Sequence, residues 1–503
     1  MTAINALPAV ERVRLLCTAA ADMVAGTDLA SQVDAVRERV DGALRIAIAG
    51  RVKAGKSTLL NALVGERLAP TDAGECTKVV TWYQHGATYE VTAVGYDGRS
   101  TSVPFRRVDG ALSFDINAVA LEATERIVVS WPTSALRQVT LIDTPGLASL
   151  SAANSFRTSE FLALDESRPS EADAVIYLMG HLHRRDAEFL GAFMDRAVVG
   201  SSPVNAVAVL SRADEIGAGR LDAMTSARRI ADRYECNETV RTLCTAVVPV
   251  AGLIAETGLT LREDEAWALR RLAATPDSVL ERMLLAADTF CDPGASELTV
   301  ELRRQLLDRL GVFGVRFCVA QIRSRGAATA TDLANALVVE SGLDAVRCLI
   351  TDLFLPRAHV LKSRTALVSL RLIAGDLHAT DPAGARRLAA EIERCEASSP
   401  DFAELRLSHL VLSGIVAFSD EQRDEFGVLT SAGSGVEERL RVDRAADHAT
   451  LRASALAGVE RWRIHGADPM ADTAMREACE TMAHTYESLF VQLHEPRQAA
   501  SEP

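Results

Sequence analysis

The sequence predicts an α/β domain with a mostly parallel, doubly wound sheet, joined to a long antiparallel helical bundle. Three observations carry this. Between residues 43 and 255, apolar β-branched runs of strand length alternate with helical segments, as in crossover-connected parallel strands buried on both faces. From about residue 260 the strand signals stop, and apolar residues recur at three- and four-residue steps almost to the end. A glycine-rich stretch, Ala49-Gly50-Arg51-Val52-Lys53-Ala54-Gly55-Lys56-Ser57-Thr58, stands between the first strand and its helix.

At 503 residues the chain exceeds one core, and its length suits about two to four domains. The expected division is residues 1–42 as helices packing on the neck, 43–256 as the nucleotide domain, 257–495 as a helical neck and trunk, and 496–503 as a disordered tail. Hydrophobic residues at 48% and aromatics at 5% suit a soluble, helix-rich protein. A net charge of −14 argues against nucleic acid as a partner, because phosphate backbones draw on clustered positive charge. Nine scattered cysteines without a C-x-x-C pair read as free thiols in a reducing cytoplasm. The start at Met1 lacks the pattern of a signal peptide, and no run of eighteen apolar residues suggests a membrane span.

Within 8–42, Val10, Val13, Leu15 and Leu16, then Leu29, Val33, Val36 and Val40, mark two helices broken at Gly26-Thr27-Asp28. Both precede the first core strand, Leu44–Ala49, so their apolar stripe must pack outside that core, and long C-terminal helices are its expected partner. Val79–Tyr83, Tyr89–Val94 and Ile127–Trp131 read as strands, with a hairpin turn at Asp97-Gly98. Val139–Ile142, Ala174–Met179 and Val204–Leu210 are buried strands, and Ala246–Val250 closes the sheet. Beyond them, helices break at Pro276, Pro293-Gly294, Gly311, Gly342, Pro382, Pro400, Ser431–Gly435 and Pro469.

The glycine-rich stretch reads Gly-x-x-x-x-Gly-Lys-Ser, a phosphate-binding loop in the right strand–loop–helix setting. Gly50, Lys53, Ala54, Gly55, Lys56, Ser57 and Thr58 would bind the nucleotide, with backbone N–H groups and the helix N-terminus around the phosphates. Lys56 would reach the β- and γ-phosphates, and the Ser57 hydroxyl would ligate Mg²⁺. Only four lysines occur, Lys53, Lys56, Lys78 and Lys362, and three of them lie in or near this loop and the segment after it. Leu141-Ile142-Asp143-Thr144-Pro145-Gly146 ends a strand with Asp-x-x-Gly. There Asp143 would hold Mg²⁺ through water, and the Gly146 N–H would sense the γ-phosphate. In Pro70–Lys78, Thr77 would close on Mg²⁺ and γ-phosphate, with Thr71 and Thr81 as competitors. Ser211-Arg212-Ala213-Asp214 follows a buried strand. The Asp214 carboxylate would accept guanine N1–H and the exocyclic amine, a pair adenine lacks, while Arg212 lies along the base. Gly252, after the last strand, completes the base site by position. Together these motifs favour GTP, with Mg²⁺.

In this order, with helices before the domain and a long helical region after it, the chain resembles the bacterial dynamin-like GTPases. The likeness is strongest over 43–255, and Ala69–Ala73, Ser211–Arg220 and Thr365–Arg371 extend it toward the isoniazid-inducible mycobacterial branch. The resemblance implies a P-loop GTPase (G) domain with a neck and trunk, and GTP hydrolysis coupled to anionic lipid binding and membrane remodelling or fission. It also implies a cytoplasmic protein peripheral at the inner face of the plasma membrane, in a cell-envelope stress response. Implied partners are a second copy joined through the G domains on nucleotide binding and a sister protein of the same operon. Signalling GTPases orient water with a glutamine after Asp-x-x-Gly; here that position is Leu147, and dynamin-like proteins share the lack. Lys53 stands where some members of the superfamily carry a catalytic arginine, so Lys53, Lys56, Thr77 and Gly146 form the candidate catalytic set; a solvated loop lysine is the other reading of Lys53. Leu147 and the altered Ser211-Arg212 leave a regulatory GTPase, or a weakly hydrolysing GTP-binding scaffold, as the alternative.

Two helical stretches are locally basic: Arg309, Arg316, Arg323 and Arg325, and then Arg357, Lys362, Arg364 and Arg371, each without an acidic residue between. Each could meet anionic headgroups at about 1 kcal/mol per basic residue, or pair with the acidic excess elsewhere. Leu405–Phe418, apolar and too short to span a bilayer, reads as a packed helix.

Overall fold

The computed structural model describes residues 8–69, 79–108, 111–114, 123–146, 170–181, 184–193, 205–294, 296–326, 329–412, 414–430 and 435–493. Two helices, α1 (Ala9–Met23) and α2 (Ala30–Asp41), lead into strand β1 (Leu44–Gly50) and helix α3 (Lys56–Val64). Strands β2 (Val80–His85), β3 (Glu90–Gly95), β4 (Ser100–Ser102), β5 (Phe105–Val108), β6 (Ala111–Phe114), β7 (Thr124–Trp131), β8 (Val139–Asp143) and β9 (Ala174–Met179) follow. Helix α4 (Arg184–Phe193), β10 (Ala206–Ser211), α5 (Ala223–Glu235) and β11 (Val247–Val250) complete the α/β part.

Among the described residues, nine strands form one sheet in the order β11-β10-β9-β1-β8-β2-β7-β3-β4, and β5 and β6 pair apart from it. Pairing is parallel from β11 to β8 and between β2 and β7; β2–β8, β3–β7 and β3–β4 are antiparallel. The expected mostly parallel, doubly wound sheet is present. Its central strands alternate between two cores because successive side chains point to opposite faces. Ile46 and Ile48, Ile176 and Leu178, and Val207 and Val209 enter one core, while Ala47 and Ala49, Val175 and Tyr177, and Ala206 and Ala208 enter the other. Both faces are dry, so these strands read as unbroken apolar runs. Gly98, at φ +75°, turns β3 into β4 as the Asp-Gly pair predicts.

The helical half runs through α6 (Gly252–Thr260), α7 (Glu263–Ala273), α8 (Val300–Arg325), α9 (Ala330–Ser341), α10 (Ala358–Leu377), α11 (Pro382–Ser398), α12 (Pro400–Leu412), α13 (Asp420–Leu429), α14 (His448–Gly466) and α15 (Thr473–Gln492), with shorter helical turns between. It is divided among three cores. Helices α6 to α9 do not continue the trunk expected over 257–495. Ile254, Leu269, Leu310, Phe313 and Leu337 share a core with Leu210, Ala213 and Met224 beside β10. Helical periodicity announces a buried face but not its partner. Further along, α10 and α11 pack with α1 and α2, joining Val13, Leu16, Ala20, Val33 and Val36 to Leu367, Leu370, Leu377, Leu388 and Ile392. Leu15 of α1 points to solvent. Helices α12 to α15 build a separate core around Trp462 and Phe418. There Glu425 accepts hydrogen bonds from Trp462 Nε1 (2.8 Å) and the Tyr486 hydroxyl (2.7 Å), and pairs with Arg461 (2.6 Å).

The junction between neck and sheet is polar and buried. Arg39 of α2 pairs with Asp173, just before β9, at 2.9 Å, with both side chains almost wholly buried, and Asp173 also accepts from the Arg45 N–H at 3.0 Å. Lys362 of α10 donates to the Gly42 carbonyl at 2.8 Å.

The two locally basic stretches are engaged within the chain. Arg309 binds Glu265 at 2.8 Å and Thr260, Arg316 binds the carbonyls of Ala218, Gly219 and Leu284, and Arg323 binds Asp277 at 2.6 Å. In the second, Arg357 reaches the Leu353 carbonyl and Ser408, Arg364 is buried, and Arg371 pairs with Glu396 at 2.6 Å. The Arg325 side chain lies outside the described residues. The described basic residues of both stretches are thus paired or buried within the chain. Of the expected packed helix over Leu405–Phe418, only the part to Leu412 is helical; Leu405, Leu407, Val411, Val416 and Phe418 are buried, whereas Leu412 and Ile415 are exposed. Among the described residues no helix is long and apolar enough to cross a membrane.

Candidate functional site

The phosphate loop leaves β1 at Gly50. A Cβ there would sit 2.5 Å from the Leu178 carbonyl oxygen, so glycine lets the loop turn against β9. Gly55, at φ +89°, opens α3, whose N-terminal N–H groups face the loop. The buried Lys56 ammonium donates to the carbonyls of Gly50 (3.4 Å) and Arg51 (3.2 Å) of its own loop. Lys53 is exposed and holds φ +62°, a left-handed conformation uncommon for a residue with a Cβ.

At the other wall of the loop, β8 runs parallel to β1 with Asp143 opposite Ile48. The Ser57 hydroxyl donates to Asp143 Oδ2 at 2.7 Å. A hydroxyl and a carboxylate at the loop's mouth are hard oxygen donors suited to Mg²⁺, which takes most of its shell from phosphate oxygens and water. Ser57 and Asp143 would hold the ion, and bound Mg²⁺ would neutralise charge developing on the phosphates. Among the described residues no cluster of His, Cys, Asp and Glu forms a separate metal site. Thr144 anchors the following turn through its hydroxyl on the Ile48 carbonyl (3.0 Å). Gly146 then lies directly on the phosphate loop: a Cβ would fall 2.5 Å from Val52 Cγ2 and 2.8 Å from its Cα. The Asp-x-x-Gly turn and the phosphate loop are thus in contact. Thr77 and Thr71 lie outside the described residues, as does Leu147, and Thr81 sits inside β2 opposite Asp143.

A cavity of about 130 Å³ continues from this loop along the ends of β10 and β11. Ala54, Gly55 and Thr58 line one end, Ser211, Arg212 and Asp214 a side, and Gly252 and Leu253 the floor. Gly252 packs on Thr58 without crowding it, which brings the loop after β11 to the phosphate loop. Asp214 is buried, and burial pushes its carboxyl up to about 6, with Glu215 adding to the rise. Arg212 adopts φ +54° and reaches Glu215 at 3.3 Å, an exposed pair that adds little stability and leaves the side chain along the cavity. Ala54, Gly55, Thr58, Arg212, Asp214 and Gly252 line this cavity, and Gly50, Lys53, Lys56, Ser57, Asp143 and Gly146 lie on the adjoining phosphate loop, α3 and β8 turn, at the C-terminal ends of parallel strands, where open α/β sheets bind ligands.

The sequence model of the Dynamin family matches residues 46–190. The "Isoniazid-induced protein IniC" of Mycobacterium tuberculosis is 38% identical over 468 residues, covering 92% of this chain and 93% of that protein. The chain belongs to the dynamin family. It is a bacterial dynamin-like GTPase similar to IniC along most of its length. The "Isoniazid-induced protein IniA" of the same organism is 32% identical over 157 residues, covering 30% of this chain and 23% of its own. The "Bacterial dynamin-like protein" of Nostoc punctiforme is 34% identical over 124 residues, 22% of this chain and 18% of that protein.

Two features of the GTPase's cleft are not evident in its motifs. Behind the phosphate loop, Tyr177 of β9 donates to the buried Asp186 of α4 at 2.6 Å, and Arg51 of the loop lies 3.7 Å from the same carboxylate. The other is α8, which interrupts its helix at Gly311 beside Asp214. Glycine in a helical run was the only signal for it, and it marked a break rather than a site.

Proposed function

We propose that this dynamin-like GTPase couples its GTP cycle to binding and remodelling of anionic membrane, as a peripheral protein at the inner face of the plasma membrane. The observation that carries this reading is the neck. Helices from both sides of the α/β domain pack as α1, α2, α10 and α11, and the Arg39–Asp173 pair fastens that bundle to the N-terminal ends of β1 and β9, at the edge of the sheet opposite the nucleotide cleft. A bundle so attached can act as a lever on a G domain spanning residues 43–256. The likeness to a protein named for isoniazid induction supports a place in a cell-envelope stress response, and a sister protein of the same operon is a fitting partner. In the cleft, Lys56 and the loop N–H groups hold the phosphates, and Ser57 and Asp143 hold Mg²⁺, with Thr77 closing over the γ-phosphate. Gly146, resting on Val52, reports the γ-phosphate to the loop. With Leu147 in the glutamine position, Lys53 supplies positive charge at the β–γ bridge once a second G domain closes over the nucleotide.

Sedimentation with phosphatidylethanolamine–phosphatidylglycerol vesicles, with GTP turnover measured in the same samples, tests this reading. The parent should pellet with vesicles and hydrolyse faster on them, and Lys53→Ala should pellet equally but lose that gain. Slow turnover indifferent to lipid, with no pelleting, would support the alternative reading of a regulatory GTPase or weakly hydrolysing scaffold. That reading is favoured by Leu147 and Ser211-Arg212.

A further inference from the structure

We infer that α8 braces the base site from behind, and that Arg316 is a positioning residue that sets guanine selectivity. This rests on reading Asp214 as the guanine contact. The loop carrying Asp214 holds an improbable backbone: Gly217 (φ +64°), Ala218 (φ +60°) and Gly219 (φ +66°) are left-handed in succession, as is Arg212 (φ +54°). For Ala218, which carries a Cβ, that conformation is strained, so the surroundings must hold it. They do so through α8. Arg316 Nη1 donates to the Ala218 carbonyl at 3.1 Å and the Gly219 carbonyl at 2.7 Å, while Nη2 reaches the Leu284 carbonyl at 2.5 Å. Three carbonyls converge on one planar guanidinium, a geometry an ammonium cannot copy.

The same helix seats the second base loop. It breaks at Gly311 (φ +60°, ψ −180°), where a Cβ would point at Asp214 Oδ2 and Leu253, each 3.8 Å away. The Arg309 carbonyl beside the break accepts from the Thr257 hydroxyl of α6. At Gly314 a Cβ would press on Ile254 at 2.9 Å, so glycine lets α8 lie close against α6 at the Leu253 loop. The Asp214 loop and the first turn of α6, which would enclose a guanine, are therefore braced on a single helix, about a hundred residues downstream of the Asp214 motif.

The test compares GTP with ITP, which lacks the exocyclic amine that Asp214 would accept, in the parent, Arg316→Gln and Arg316→Lys. Loss of the clamp should raise KM for GTP about tenfold, more than it lowers kcat, the size expected for charge-assisted hydrogen bonds. The GTP-over-ITP preference should fall toward one in Arg316→Gln and stand between that value and the parent's in Arg316→Lys. A merely structural lesion would lower the active fraction and leave the ratio alone. A parent-like ratio in either variant overturns the inference, and Arg316→Lys serves if Arg316→Gln does not fold. Asp214→Asn in the same assay separates the two ideas. If it keeps the preference for GTP, the reading of the base site fails and this inference with it. If it loses the preference while the Arg316 variants keep theirs, only this inference fails.

Discussion

At the scale of single residues, Asp214 combines two demands that oppose each other. Its carboxylate must be ionised to accept two guanine N–H groups, yet burial raises its carboxyl to about 6. Ionisation is complete well above that value and lost as the pH falls through it, so guanine affinity is present at high pH and lost on acidification. GTP affinity measured by calorimetry should be level near neutrality and fall by roughly tenfold per unit below about pH 6. ATP, which gives Asp214 no such pair of donors, should not show that step; a flat GTP profile across pH 6 would remove Asp214 from the base contact. Ser57, Asp143 and Asp214 were legible in the sequence because their spacing to a strand end is short and local. The clamp on Ala218 and Gly219 was not, since Arg316 lies far along the chain in a helix whose face the sequence does not assign.

At the scale of elements, the helices are held to the sheet by a few polar contacts with large consequences. Arg39→Ala would leave Asp173 buried without its guanidinium partner, a change expected to cost roughly 3–5 kcal/mol. Urea unfolding should show that loss in the midpoint, and a loss below about 1 kcal/mol would mean that the pair is not what fastens α2. Element scale is also where sequence patterns misdirect. The spacing of Arg309, Arg316 and Arg323 suggested a charged face, whereas each guanidinium is spent on carbonyls or carboxylates of neighbouring elements. An acid-free stretch says nothing about acids brought in from elsewhere. Strands β5 and β6 went unread, and β4 was signalled only by its Asp-Gly turn, because three- and four-residue segments such as Ser100–Ser102 are too short to carry a periodic apolar pattern.

At the scale of the whole molecule, an alternating strand–helix half and a helical half were both plain, because parallel strands buried on two faces and periodic helices leave strong patterns. The allocation of helices to cores was not, because α6 to α9 look the same in sequence whether they cover a sheet or extend a trunk. In the fold, those helices pack beside β10 while α1, α2, α10 and α11 form a bundle of their own, and both groups rest on the α/β domain. Closure of one G domain on another, with lipid as the surface that gathers them, is the central claim. The most direct measurement is GTP turnover per molecule over about a hundredfold range of protein concentration, with and without anionic vesicles. Turnover per molecule should rise at least about fivefold with concentration, and vesicles should shift that rise to lower protein concentrations. A turnover per molecule that stays constant across the range, with vesicles present or absent, would contradict it.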